Sequence, residues 1–145
     1  MAHASCSDEQ IVDAMVALAG AAKSHRIIVT GADAYDVYLD LLRRGFSRAV
    51  TTVTCRIPCG QHDVALVAGQ HSIDALELLL ARIIPYLTTH ARVAVWIDTQ
   101  EPRPGGKIRS LLERLGFRVE AGARCRKGFV LSARRRELDG FAQAA

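Results

Sequence analysis

The chain has 145 residues, 50% of them hydrophobic and 23% charged, with a formal net charge of +4. That length is one domain, able to bury roughly 68–70% of its unfolded surface without disulfides or metal. The composition excludes a disordered polymer, and the modest positive charge suits solubility as well as a polyanionic partner.

The first residues, Met1-Ala2-His3-Ala4-Ser5-Cys6, lack a basic segment followed by an apolar one, so no secretory leader is expected. No apolar run reaches membrane-spanning length. Cys6, Cys55, Cys59 and Cys125 are then expected as free thiols in a cytoplasmic protein. Ser7-Asp8-Glu9-Gln10 has the pattern of a capping box with Ser7 as N-cap. Ile11, Met15 and Leu18 follow at helical spacing. They predict a helix from about Asp8 to Ala22 that lies across a sheet face or serves as a partner surface.

Ile27-Ile28-Val29, stopped by Gly31, predicts a short strand buried on both faces. Asp33 to Arg44 predicts a helix with Val37, Tyr38, Leu41 and Leu42 inward and Gly45 as its stop. Ser47 to Cys55 is rich in β-formers, and Pro58 and Gly60 break it. Val64-Ala65-Leu66-Val67 marks a buried strand over His62 to Ala68, after which Ser72 caps a helix ending near Pro85. Ala91 to Ile97 is a further buried strand, and Pro102 to Gly106 reads as a loop. Ile108, Leu111, Leu112 and Leu115 form a clean helical stripe ended by Gly116. Phe117 to Glu120 and Gly128 to Ala133 are strands joined by the basic turn Arg124-Cys125-Arg126-Lys127.

These elements predict a single α/β domain. Residues 1–25 carry the N-terminal helix, 26–136 the core, and 137–145 a tail. Alternating strands and helices imply a three-layer α/β/α sandwich. Its sheet has about six mainly parallel strands and an antiparallel C-terminal hairpin strand. Ligands of such sheets bind beyond the carboxyl ends of the strands. Here that means Thr30 to Asp33, the turn after Cys55, and Ala68 to His71.

Four segments, in order, resemble the C-terminal half of the class I, S-adenosylmethionine (SAM)-dependent methyltransferase family. Asp63-Val64-Ala65-Leu66-Val67 is similar to its fourth strand. Tyr86-Leu87 followed by Arg92-Val93-Ala94-Val95-Trp96 is similar to its passage into the fifth. Leu111-Leu112-Glu113-Arg114-Leu115-Gly116-Phe117-Arg118-Val119 is similar to the helix leading to its sixth strand. Gly128-Phe129-Val130-Leu131-Ser132-Ala133-Arg134 is similar to its final antiparallel strand. The resemblance implies SAM as cofactor, without a metal, and methyl transfer as the activity. The implied cofactor-binding residues are Thr30, Gly31, Ala32, Asp33, Cys55, Ala68, Gly69 and Gln70. The alternative is a non-catalytic interaction or regulatory domain on the same scaffold. Its partner would be another protein, a second copy of the chain, or a nucleic acid, and not a membrane.

The first half departs from the family. Only Gly31 stands where the family has a Gly-rich turn, and Val53-Thr54-Cys55-Arg56 holds no acid to bind the ribose. A strand-helix unit between the second and fourth family strands has no counterpart. Ala68-Gly69-Gln70-His71 replaces the Asn-Pro-Pro-aromatic motif of amine-modifying members, and His90-Ala91 replaces a glycine pair. A missing charge-assisted hydrogen bond to the ribose forfeits about 1.5–3 kcal/mol.

Other constellations carry less. Val29-Thr30-Gly31-Ala32 opens like a dinucleotide-binding turn, with Arg56 suited to a 2′-phosphate, but Ala34 and Val37 replace the further glycines. Cys55, Cys59, His62 and His71 have zinc-ligand chemistry; a strand-end Cys and an exposed loop thiol account for the pattern without metal. Asp98 with Glu101 has acid-base chemistry at the ligand edge, and also that of loop caps. Asp33 or Asp36 stabilises a helix N-terminus. The basic clusters Arg43/Arg44/Arg48, Arg124/Arg126/Lys127 and Arg134/Arg135/Arg136 suit phosphates, or equally a solvated edge.

Overall fold

The computed structural model describes residues 2–52, 57–70, 72–98, 104–125 and 128–136. Among the described residues four α-helices and six strands follow one another along the chain. They are α1 (Ala2–Ala19), β1 (Ile27–Thr30), α2 (Ala34–Arg43), β2 (Ala49–Thr51), β3 (His62–Gln70), α3 (Ile73–Ile83), β4 (Leu87–Ile97), α4 (Pro104–Arg114), β5 (Phe117–Cys125) and β6 (Gly128–Arg135). The strands form one sheet in the order β2-β1-β3-β4-β6-β5. The first four run parallel; β6 is antiparallel to both β4 and β5.

Each face of the sheet carries its own apolar layer. On the first face Ile27, Val29, Val64, Leu66, Ala94 and Trp96 pack under α1 and α2, which contribute Ile11, Met15, Val37 and Leu41. On the second, Ile28, Ala65, Val67, Val93 and Val95 pack under α3 and α4, which contribute Leu76, Leu80, Ile108 and Leu112. Successive strand residues point to opposite faces, so a strand covered on both sides must be apolar throughout. That is why the strand runs lack alternation. α1 and α2 are joined by Arg44, which bonds Asp13 on one side and Asp40 Oδ2, at 3.0 Å, on the other.

Several boundaries differ from the sequence reading. α1 already includes Ala2, so Ser7 lies inside it and is no N-cap; alanines upstream of the expected box are strong helix formers. Its end comes at Gly20, with φ +64°, rather than Ala22. β2 covers Ala49–Thr51 of the expected Ser47 to Cys55 run, whose last residues, Val53 to Cys55, lie outside the described residues. β4 starts at Leu87 instead of Ala91. Pro104, read as part of a loop, begins α4, because proline at a first helical position surrenders no hydrogen bond. β5 continues to Cys125, so Arg124 and Cys125 belong to a strand and not to the turn. Arg126, Lys127 and the tail from residue 137 lie outside the described residues. Other stops hold: Pro85 falls in a single 3-10 turn, Ile84–Tyr86, and Gly45 and Gly116 both have φ +96° past helix ends.

Candidate functional site

The strand order reverses between β1 and β3. The chain leaves β1 for β2 on one side through α2 and leaves β3 for β4 on the other through α3, so the two crossovers depart to opposite faces. This is the switch point at which open α/β sheets bind ligands.

Here the turn after β1 packs directly against the end of β3. Gly31 has φ +113°, and a Cβ on it would clash with the Ala68 carbonyl and stand 2.8 Å from the Ala68 nitrogen. The Asp33 amide donates to the Ala68 carbonyl at 3.0 Å. The Asp33 carboxylate lies over Gly69, whose φ is +78°; a Cβ there would stand 2.9 Å from Asp33 Cγ. Four of the expected residues, Gly31, Asp33, Ala68 and Gly69, are thus brought together, but in contact with one another. Ala32, between Gly31 and Asp33, is exposed. Thr30 is buried and lies near the other face: its Oγ1 is 3.4 Å from Thr52 Oγ1, and both border a cavity of 220 Å³ with Leu79 and Tyr86. Gln70 ends β3 opposite Ile97. Cys55, Arg56, His71 and Glu101 lie outside the described residues.

A larger cavity, of 520 Å³, opens beside the turn on the first face. Ile11 and Val12 of α1 form one wall, and Asp36, Val37, Asp40 and Arg43 of α2 another. Trp96 and Asp98 close it at the carboxyl end of β4, and Asp33 borders it too. Trp96 is largely buried. The lining carries four carboxylates, of which Asp40 is paired with Arg44, and one guanidinium, so its field is negative; the Trp96 indole forms part of the wall. Sequence reasoning flagged Asp98 and passed over Ile11, Val12 and Trp96, whose only signal was apolar periodicity.

Of the possible zinc residues, Cys59 and His62 are described, and Cys55 and His71 lie outside the described residues. Cys59 is an exposed loop thiol. His62 is buried at the start of β3. Among the described residues no group of three or more His, Cys, Asp or Glu is placed to hold a metal. Nor is any described helix long and apolar enough to cross a membrane.

No protein-family model and no curated protein matches this sequence. Solved structures do match. The 1,6-didemethyltoxoflavin-N1-methyltransferase of Burkholderia thailandensis aligns with TM-score 0.60 at 15% identity, over 88% of this chain and 77% of that one. That protein was solved with 1,6-didemethyltoxoflavin and S-adenosylhomocysteine bound. A SAM-dependent methyltransferase from Aquifex aeolicus aligns with TM-score 0.53 at 13% identity, over 76% of this chain and 82% of that one. The B. subtilis M1A22 tRNA methyltransferase TrmK aligns with TM-score 0.62 at 13% identity, over 86% of this chain and 66% of that one. The fold is therefore the Rossmann-like fold of class I SAM-dependent methyltransferases.

Proposed function

We propose that the chain is a small, divergent SAM-dependent methyltransferase-like domain that takes SAM in the acidic cavity beyond β4, beside the turn after β1. The turn itself does not fit the cofactor, because Gly31 and Asp33 are packed on Ala68 and Gly69. The charge of the neighbouring cavity is the observation that carries this reading. SAM holds a sulfonium and an ammonium against one carboxylate, and Asp33, Asp36 and Asp98 border a space with an indole at its wall. Its 520 Å³ falls within the range of small-molecule sites. Bound there, SAM would supply an electrophilic methyl group; the residues of this chain would match its charge and exclude water from one side.

Calorimetric titration with SAM and S-adenosylhomocysteine tests this. One-site binding is expected, with SAM the tighter ligand, since the demethylated product lacks the sulfonium charge. Asp98→Asn should weaken SAM by about tenfold, the worth of one charged contact, and the product less. Equal affinity for both ligands, unchanged by Asp98→Asn, would rule the cavity out.

A second reading rests on the closed turn: a non-catalytic interaction domain that keeps the sheet and has given the switch point to its own packing. Absence of heat with both ligands at millimolar concentration decides for it.

A further inference from the structure

Three arginines occupy one register row of the sheet. Arg92 of β4 stands directly opposite Arg134 of β6, and Arg134 directly opposite Arg118 of β5. Directly paired residues project from the same face, so the row spans three strands over about 10 Å. The face is the one that carries α1: Gly20, just past that helix, lies against the Arg92 guanidinium, with a Cβ position 3.7 Å from Arg92 Cζ. Arg92 thereby also meets the negative end of α1. Glu120 Oε2 lies 3.5 Å from Arg134 Nε, one carboxylate in a row of three cations. Arg118 and Arg134 remain exposed.

Like charges placed directly opposite one another oppose folding; the end of α1 offsets this at Arg92 and Glu120 offsets it at Arg134, which leaves two of the three charges facing solvent. The neighbouring arginines show what a structural role looks like. Arg135 turns to the other face and donates to the Leu87 and Thr88 carbonyls, both at 3.2 Å. Arg136 donates to the Glu113 carbonyl at 3.0 Å. The sequence cluster at 134–136 is therefore split, and only Arg134 joins the row. The row also sits level with Val64 and Ile27, at the amino end of the parallel strands. That is the edge opposite the acidic cavity.

We infer that Arg92, Arg134 and Arg118 form a docking surface for the phosphate backbone of a nucleic acid. The charges lie in a line, which matches a linear polyanion, and the guanidinium fork matches phosphate geometry. The row itself holds no aromatic residue, so it reads charge and not bases. This surface is separate from the SAM cavity and stands or falls without it.

The test is fluorescence anisotropy of a labelled 20-nucleotide mixed-sequence RNA, single-stranded and as a duplex, with the full chain between 50 and 200 mM salt. Saturable binding is expected, with log affinity falling against log salt at a slope near −3 for three neutralised phosphates. Arg118→Glu/Arg134→Glu should weaken binding at least tenfold at 50 mM salt and flatten the slope by about 2. Arg82→Glu/Arg109→Glu changes net charge equally, on helices of the opposite face, and should cost less than threefold. Should the first pair fail to give a cooperative melt, Arg118→Gln/Arg134→Gln replaces it, with the same ordering of effects. Equal losses in the two pairs overturn the inference. So does the absence of saturable binding to either RNA form, including the case where phosphatidylserine vesicles bind instead.

Discussion

Gly31 and Ala68 meet backbone to backbone: a Cβ added to Gly31, at φ +113°, would stand 2.8 Å from the Ala68 nitrogen and overlap the Ala68 carbonyl. The glycine that resembles a cofactor turn is thus required by the packing of β1 against β3. Gly31→Ala must bear both a left-handed backbone and a clash with main chain that no rotamer relieves. It should cost at least about 2–3 kcal/mol, read by urea unfolding. Loss of ligand binding in this variant would therefore report on folding. A variant as stable as the parent would show that the turn moves freely away from Ala68, and would reopen the crevice to a nucleoside.

Much of the framework was legible because it obeys local rules. Ile108, Leu111 and Leu112 are all buried, as their spacing required. Three β-branched residues from Ile27 to Val29 did mark a strand covered on both faces. The failures are of two kinds. Pro104 is ambiguous in sequence, since proline both ends loops and opens helices. The cavity and the arginine row are not local at all. Ile11, Asp36 and Trp96 converge from three elements, and Arg92, Arg118 and Arg134 meet only through the register of the hairpin. Charge clusters along the sequence pointed instead to 134–136, which the alternation of a strand divides between faces.

Ser72 is an N-cap in the full sense: its backbone is extended, φ −137° and ψ 151°, and its Oγ accepts from the Ala75 amide at 3.1 Å. The helix it starts supplies Leu76, Leu80 and Ile83 to the second apolar layer. Ser72→Ala should lower unfolding free energy by about 1 kcal/mol, and Ser72→Asp should restore most of it. Amide exchange at Ala75 should accelerate in the alanine variant. Unchanged stability in Ser72→Ala would mean that water or another group serves that amide equally well.

His62 gives the fold an acid-sensitive point. It is 3% exposed at the start of β3, and its Nδ1 lies 3.2 Å from the Tyr86 carbonyl. Burial holds its pKa below the usual 6.5, and the nearby Arg26 pushes the same way, against the opposing effects of the Tyr86 carbonyl and Asp63. As pH falls below 6.5, the unfolded chain takes up a proton that the folded chain refuses until the lower folded pKa is reached. Protonation therefore favours unfolding across that window; the His62 contribution is intact above about pH 7 and declines as the solution is acidified. The melting temperature should accordingly fall between pH 7.5 and 5.5 by more in the parent than in His62→Gln, whatever the substitution does to stability at pH 7.5. Parallel curves for the two proteins would mean that the imidazole titrates in the folded state as it does in water, and that its burial carries no linkage to folding.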